Sequence, residues 1–292
     1  MSHCYKIVTF CIFTLVLSLS SCEIYNPSEP IPAYISIDKI TLSTSFSTEG
    51  SNSHKITDAW VYIDEQLIGC FELPASFPVL YEGSHQIKIL PGIKVNGIAA
   101  TRAPYPFYTP YDTIINNLQK GVNLKLHPVV NYRTNITFNF MEDFENPGTI
   151  ISKSPALGVD TVIQRVDAPD PNVFEGNGSG IAYLDNSHTF FEGISATSYI
   201  LPKSGSNVFL EFNYKCNHEF VVGVFAHGVG GSNKEAALTF NSSANWNKAY
   251  VYLTPVIGRN TTATDFTIFF GMINPTSADS IAMMLDNIKL VY

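Results

Sequence analysis

Along most of this chain apolar and polar residues alternate with a period of two, which puts successive side chains on opposite faces of a strand. Tyr34-Ile35-Ser36-Ile37-Asp38-Lys39-Ile40 is the first such run. Trp60-Val61-Tyr62-Ile63-Asp64 and Gln66-Leu67-Ile68-Gly69 predict a hairpin turning at Asp64-Glu65. Gln86-Ile87-Lys88-Ile89-Leu90 predicts a strand halted by the turn dipeptide Pro91-Gly92. Residues 123–127 and 135–139 follow, and then Val208 to Tyr214, Lys248 to Leu253, Phe266 to Phe270 and Ala282 to Leu290. Phe220-Val221-Val222-Gly223-Val224-Phe225 is nearly all apolar, as a strand covered on both faces is. Short strands at this spacing, with no helical periodicity, predict antiparallel β-sandwiches.

Composition supports an all-β reading and narrows the partners. Of the 292 residues only 14% are charged, against about 25% in an average soluble protein. Tyr, Phe, Thr, Ser and Asn take their place, which suits sheets with polar, uncharged surfaces. Net charge is −8. An acidic surface argues against nucleic acid and against electrostatic attachment to anionic lipid.

The N-terminus carries a different pattern. Lys6 precedes a mostly apolar stretch, Ile7 to Leu19, which is too short for a membrane span of roughly 20 residues. It ends in Leu19-Ser20-Ser21-Cys22, which resembles the lipobox of a bacterial lipoprotein signal peptide. The resemblance implies export, cleavage before Cys22 and acylation of that cysteine, the alternative being an ordinary secretory signal. Acyl chains hold a soluble domain on a membrane at ~0.8 kcal/mol per buried methylene. Residues 22–33 include Pro27, Pro30 and Pro32 and predict an extended tether. Cys4 and Cys11 leave with residues 1–21. Cys70 and Cys216 remain, too isolated for metal-type spacing, and are expected as buried small apolar residues.

Two further resemblances concern the fold. Val61-Tyr62-Ile63-Asp64, Ile68-Gly69 and Gly83-Ser84-His85-Gln86-Ile87 resemble small PEGA-type and immunoglobulin-like modules of bacterial surface proteins. This implies a spacer or docking domain over residues 34–140. Asp143-Phe144-Glu145, Trp246 to Leu253 and Leu285-Asp286-Asn287-Ile288-Lys289-Leu290 occur in the order found in galactose-binding-like jelly rolls, which include many carbohydrate-binding modules. That resemblance implies a jelly roll over residues 141–292, pairing of its first and last strands, and a structural Ca2+ with Glu145 and Asp286 as oxygen ligands; strand-end acids facing solvent are the alternative. Asp112-Thr113-Ile114, Asp160-Thr161-Val162 and Asp279-Ser280-Ile281 look like O-glycosylation sites of exported Bacteroidota proteins, or plain turn chemistry.

For ligand binding, Asp185-Asn186-Ser187-His188-Thr189-Phe190-Phe191 places an acid, an amide, a histidine and rings in one loop. Asp185, Asn186, His188, Phe191 and Trp246 are the candidate sugar contacts, Trp246 being weighed against a packing role. Tyr105-Pro106-Phe107-Tyr108-Thr109-Pro110-Tyr111 reads either as a recognition loop or, preferably, as a loop whose rings plug a sandwich end. No catalytic constellation stands out. Glu142, Asp143 and Glu145 do not face one another as glycoside hydrolysis requires, and the histidines are scattered. The sequence therefore predicts an all-β protein of two β-sandwich domains, N-terminal immunoglobulin-like and C-terminal jelly roll. It reads as a lipid-anchored outer-membrane protein of the cell envelope, on either face, binding glycan without catalysis. The alternative is a structural or assembly lipoprotein that binds another envelope protein in a secretion, adhesion or fimbrial apparatus.

Overall fold

A computed structural model describes Tyr5, residues 29–275 and residues 280–292. Cys22, the signal peptide apart from Tyr5, most of the tether and Asp279 lie outside the described residues.

The first half contains β1 (Ala33–Ile37), β2 (Thr41–Ser43), β3 (Asp58–Ile63), β4 (Gln66–Glu72), β5 (Ala75–Val79), β6 (Gly83–Lys94), β7 (Arg102–Pro104), β8 (Tyr111–Leu118), β9 (Asn123–Leu126) and β10 (Val129–Asn131). The β3–β4 hairpin turns where the sequence predicts. Asp64 and Glu65 both take positive φ, 47° and 62°, as a two-residue turn matched to strand twist demands. The Asp64 carboxylate pins this turn to the next strand, accepting from Gln86 N at 3.0 Å and His85 Nδ1 at 2.6 Å. β3 lies between β4 and β6, and β7 and β8 flank β6. A second sheet runs β5-β1-β9, with β2-β10 beside it, and β1/β9 and β2/β10 pair in parallel.

Pro91-Gly92 is not a turn: β6 runs through it to Lys94. Pro91 uses its carbonyl to accept from Tyr105 N at 2.9 Å. Gly92 sits opposite Asp58 so closely that a Cβ there would lie 2.9 Å from the Asp58 Cβ. The glycine marks a close approach inside a strand rather than a strand end.

The second half contains β11 (Phe138–Glu142), β12 (Ile151–Lys153), β13 (Gln164–Asp167), β14 (Gly178–Leu184), β15 (Phe190–Ser195), β16 (Phe209–Cys216), β17 (Phe220–Gly228), β18 (Gly231–Phe240), β19 (Ser243–Tyr252), β20 (Asp265–Ile273) and β21 (Ile281–Val291). They form two antiparallel sheets. One, the junction sheet, is β13-β14-β21-β16-β19 with β11 also on β21; the other, the distal sheet, is β12-β15-β20-β17-β18. From β14 onward the chain crosses repeatedly between the sheets, with only β17 and β18 staying in one as a hairpin, which is jelly-roll-like connectivity. Aromatic rings dominate the core between the sheets: Phe212 packs on Phe220, Phe240 and Phe270 with centroids 5.3–6.3 Å apart. Opening and closing strands pair, Glu142 opposite Ile288. Glu142 is buried and structural, accepting from Phe144 N, Thr149 Oγ1 and Ile150 N. The protein is thus all-β and built of β-sandwiches, with only short helices such as Phe46–Glu49 and Thr254–Arg259.

The outer face of the junction sheet meets the first half. Phe209, Tyr250 and Val291 join Tyr105, Phe107, Tyr108 and Tyr132 in one hydrophobic cluster. The loop Tyr105 to Tyr111 therefore plugs this seam. Its first ring stacks edge-on against Phe209 and Tyr250, at 5.1 and 5.0 Å. Cys216 is buried as expected, Cys70 only partly, and both are free thiols.

Candidate functional site

The distal sheet turns one face to the aromatic core and the other away from it. Val222, Val224, Ala226, Ile268, Phe270, Met272 and Phe191 lie in the core. Strict alternation then sends Glu192, Val221, Phe225, Phe269 and Gly271 to the outer face. Cross-strand pairing sets them in rows: Ile194, Phe269, Gly223 and Ala236 in one, Glu192, Gly271 and Val221 in the next. Gly223 is required here, because a Cβ would stand 2.2 Å from the Glu235 carbonyl and 2.6 Å from the Phe269 ring. The bare backbone makes room for that ring, which is 1% exposed beneath Lys234.

Above these rows opens a cleft of about 560 Å³, walled by Phe190, Phe220, Val221 and Phe269 and bordered by His218, Glu219, Glu192 and Lys234. Glu192 is 0% exposed, yet it is fully engaged: Ser154 Oγ donates to Oε1 at 2.7 Å and the Lys234 ammonium pairs with Oε2. Lys234 in turn sits over the Phe269 and Phe225 rings, 4.8 and 5.8 Å from their centroids. A buried carboxylate stays in an apolar sheet only with such partners. The result is an apolar cleft edged by hydrogen-bonding groups, with Glu192 and Lys234 matched to each other and Glu219 left unpaired in charge. Such a surface can take the apolar face of a ring and meet its hydroxyls at the edge.

The predicted site residues do not converge on this cleft. Phe191 is a core residue, 0% exposed, and its neighbour Phe190 lines the cleft instead; on a strand a shift of one residue reverses the face. Asp185 shapes a turn, its Oδ1 accepting from Ser187 N at 2.7 Å and His188 N at 2.8 Å, donors that lower its carboxyl pKa. Asn186 and His188 are exposed on that turn and are not among the lining residues. Trp246 belongs to the junction sheet, on the other side of the core, and packs on Phe174 at 5.1 Å. The signal missed in the sequence was Glu192, a lone carboxylate inside Phe190-Phe191-Glu192-Gly193-Ile194.

Glu145 and Asp286 offer the oxygen chemistry calcium takes. Both Glu145 oxygens, however, accept from Asn177, and Asp286 accepts from Ser179 Oγ at 2.6 Å and Asn287 N at 2.7 Å. Burial, with Glu175 and Glu145 nearby, pushes Asp286 up to about 7. Among the described residues no three His, Cys, Asp or Glu side chains are placed to hold a metal ion. Glu145 and Asp286 are thus each held by protein donors.

No protein-family model matches the chain, and no curated protein does. Among solved structures it is similar to a family 30 carbohydrate-binding module of a cellulosomal cellulase of Clostridium thermocellum, with 15% identity and a TM-score of 0.39 over 53% of this chain and 96% of that one. It is also similar to a family 11 carbohydrate-binding module from a cellulosomal cellulase of the same organism, with 12% identity and a TM-score of 0.37 over 54% and 95%. A third likeness, to a carbohydrate-binding module of the β-sandwich superfamily, has 9% identity and a TM-score of 0.35 over 80% and 84%.

Proposed function

We propose that this chain is a non-catalytic, lipid-anchored protein of the cell envelope that holds neutral glycan in the cleft of the distal sheet. The observation that carries the reading is the combination at that cleft: apolar surface at Phe190 and Val221 over the buried Phe269, polar groups at its border, and a cation and carboxylate already matched to each other. With Lys234 committed to Glu192, the charge left at the border is the acidic Glu219, so nothing there attracts an anionic ligand, whereas ring faces and hydroxyls find complementary surface. The lipobox-like Leu19-Ser20-Ser21-Cys22 supports attachment by acyl chains to the outer membrane. The immunoglobulin-like first half then serves as a spacer, and the galactose-binding-like second half as the working end.

Titration calorimetry of the signal-less protein against soluble β-glucan, xylan and mannan oligosaccharides tests this. Saturable binding is expected, lost more than about tenfold in Val221→Glu, which plants a charge in the floor, with the melting midpoint unchanged. Silence toward every neutral oligosaccharide, with a protein partner recovered by pull-down, overturns the glycan reading in favour of an assembly role. Intact-mass measurement on the membrane-extracted protein tests the anchor. An acylated N-terminal Cys22 is expected, and a mature chain starting elsewhere refutes it.

A further inference from the structure

A second pocket, of about 500 Å³, opens at the seam between the two halves. One wall is Lys55, Thr57 and the Lys94-to-Ile98 segment of the first half; the other is β19 and the Leu238-to-Ser243 segment that precedes it. It belongs to neither half alone. Its character is opposite to that of the molecule. In a chain of net charge −8, none of its lining residues is acidic, and three are lysines.

The lysines are not equivalent. Lys94 is paired with Glu72 at 2.8 Å, and Glu72 is shared with Arg102 at 2.9 Å. Lys248 lies 3.4 Å from Glu211 Oε2 without hydrogen-bond geometry. Lys55 donates at 2.6 Å to a neutral amide oxygen, Asn247 Oδ1, instead of to a carboxylate. Partial burial, and after it the neighbouring Lys94, lower its pKa. Neutral donors and acceptors complete the wall, among them Asn241, Ser243 and the Tyr214 hydroxyl, itself accepting from Asn247 Nδ2 at 3.1 Å. Ile98 and Leu238 add apolar surface.

The pocket is also held in shape. Asn96 sits in the left-handed region at φ 55°, uncommon for a residue with a side chain, and its Oδ1 accepts from Tyr252 N at 2.8 Å. The Lys94-to-Ile98 wall is thereby fastened to the edge strand of the junction sheet. Tyr250 Oη accepts from Lys55 N at 3.0 Å and ties the opposite end.

We propose that this seam pocket binds a carboxylate-bearing saccharide, a uronic acid residue, with Lys55 meeting the carboxylate beside Lys94 and the amide and hydroxyl groups meeting the ring hydroxyls. Charge separates it from the distal cleft, where the lysine is already neutralised. The proposal stands independently of glycan binding there.

The test is calorimetry of the full signal-less chain with oligogalacturonate, neutral galacto-oligosaccharide of equal length, and a sulfated carrageenan oligosaccharide, which carries no carboxylate. Oligogalacturonate is expected to bind, to weaken as salt rises, and to weaken about tenfold further in Lys55→Gln while Lys55→Arg retains it. Neutral oligosaccharide binding at the distal cleft is expected to be the same in Lys55→Gln and the parent. The proposal is overturned if oligogalacturonate does not bind, if the neutral analogue competes for the same site equally, or if Lys55→Gln leaves affinity unchanged. The carrageenan oligosaccharide bound as tightly as oligogalacturonate also overturns the carboxylate assignment.

Discussion

Tyr105 of the first half donates its phenolic hydrogen to Glu211 of the second at 2.6 Å, inside a seam where the tyrosine is 2% exposed and the carboxylate 0%. Tyr132 donates to the same carboxylate at 2.9 Å, and Lys248 stands 3.4 Å away. The segment Tyr105-Pro106-Phe107-Tyr108 brings the first of these rings across, and Lys289 Nζ crosses the other way to the Ser51 carbonyl at 2.5 Å. Burial and the nearby Glu211 hold Tyr105, Tyr108 and Tyr132 far above the usual phenol range, so they remain donors.

Glu211→Ala should therefore be among the most costly substitutions in the chain. It strands the Lys248 ammonium and two phenols, and removing one partner of a buried ion pair costs about 3–5 kcal/mol. Tyr105→Phe removes one donor while Tyr132 still serves the carboxylate, for about 1–2 kcal/mol. Urea unfolding of the two variants checks the order. The parent is expected to unfold in a single transition, and Glu211→Ala in two, because the seam couples the halves. Equal, small effects would show that the seam carries no stability.

A second consequence concerns pH. Asp286 is raised from 3.8 to about 7 by burial and by the Glu175 and Glu145 carboxylates. The folded protein thus holds a proton that the unfolded chain releases between these values. Its stabilising contribution is complete below pH 3.8 and is lost as pH rises through 7, by at most roughly 4 kcal/mol. Asp286→Asn keeps the shape and carries no charge. It should be more stable than the parent at pH 8 and gain little at pH 4.5. Urea midpoints at the two pH values decide this, and a parent-like pH dependence in the variant would place the effect elsewhere.

How far the sequence disclosed this structure depends on whether a face meets solvent or another part of the chain. Alternation located β3, β4, β16, β19, β20 and β21, and Asp64-Glu65 located their first turn. It misled at Pro91-Gly92, where local turn chemistry lost to the fit of Gly92 against Asp58. On β16, alternation set Glu211 and Asn213 on the polar face, which in an isolated sandwich would be the wet one; here the seam covers it. The distal cleft was hidden for the opposite reason. β17 and β20 are apolar on both faces, so nothing in their pattern separates Phe270 in the core from Phe269 on the outer face. Only the unpaired-looking Glu192 carried a signal, and its partners Ser154 and Lys234 are 38 and 42 residues away.

Gly223 ties the cleft to stability. Replacing a strand glycine with alanine ordinarily gains about 0.5–1 kcal/mol. At Gly223 the new methyl meets a carbonyl at 2.2 Å and the Phe269 ring at 2.6 Å, so the ring must lift from the sheet. Overpacking of this kind costs about 1–3 kcal/mol and outweighs the gain. Gly223→Ala is expected to lower the melting midpoint and to abolish neutral-glycan binding together. Gly230→Ala in the β17–β18 turn, where a Cβ meets nothing, is expected to leave both unchanged. Calorimetric melts and titrations of the pair separate a local clash from a general intolerance of alanine.

The Asp64-Glu65 turn gives a prediction of opposite sign. Both residues hold positive φ, but only Asp64 gains from it, through Gln86 N and His85. Glu65, at φ 62°, bears the strain of a side chain in the left-handed region. Its compensation is an ion pair with Lys88 whose carboxylate end is 65% exposed, and pairs so exposed contribute little. Two-residue turns of this kind favour glycine at the second position for its free φ. Glu65→Gly should therefore stabilise the protein by about 0.5–1 kcal/mol. Glu65→Gln, which keeps the strain and drops the charge, should change stability by less than about 0.5 kcal/mol. Urea titration at low and high salt distinguishes the causes. A gain in Glu65→Gly that persists in high salt belongs to the backbone, whereas a loss there would mean that the Lys88 pair outweighs the strain.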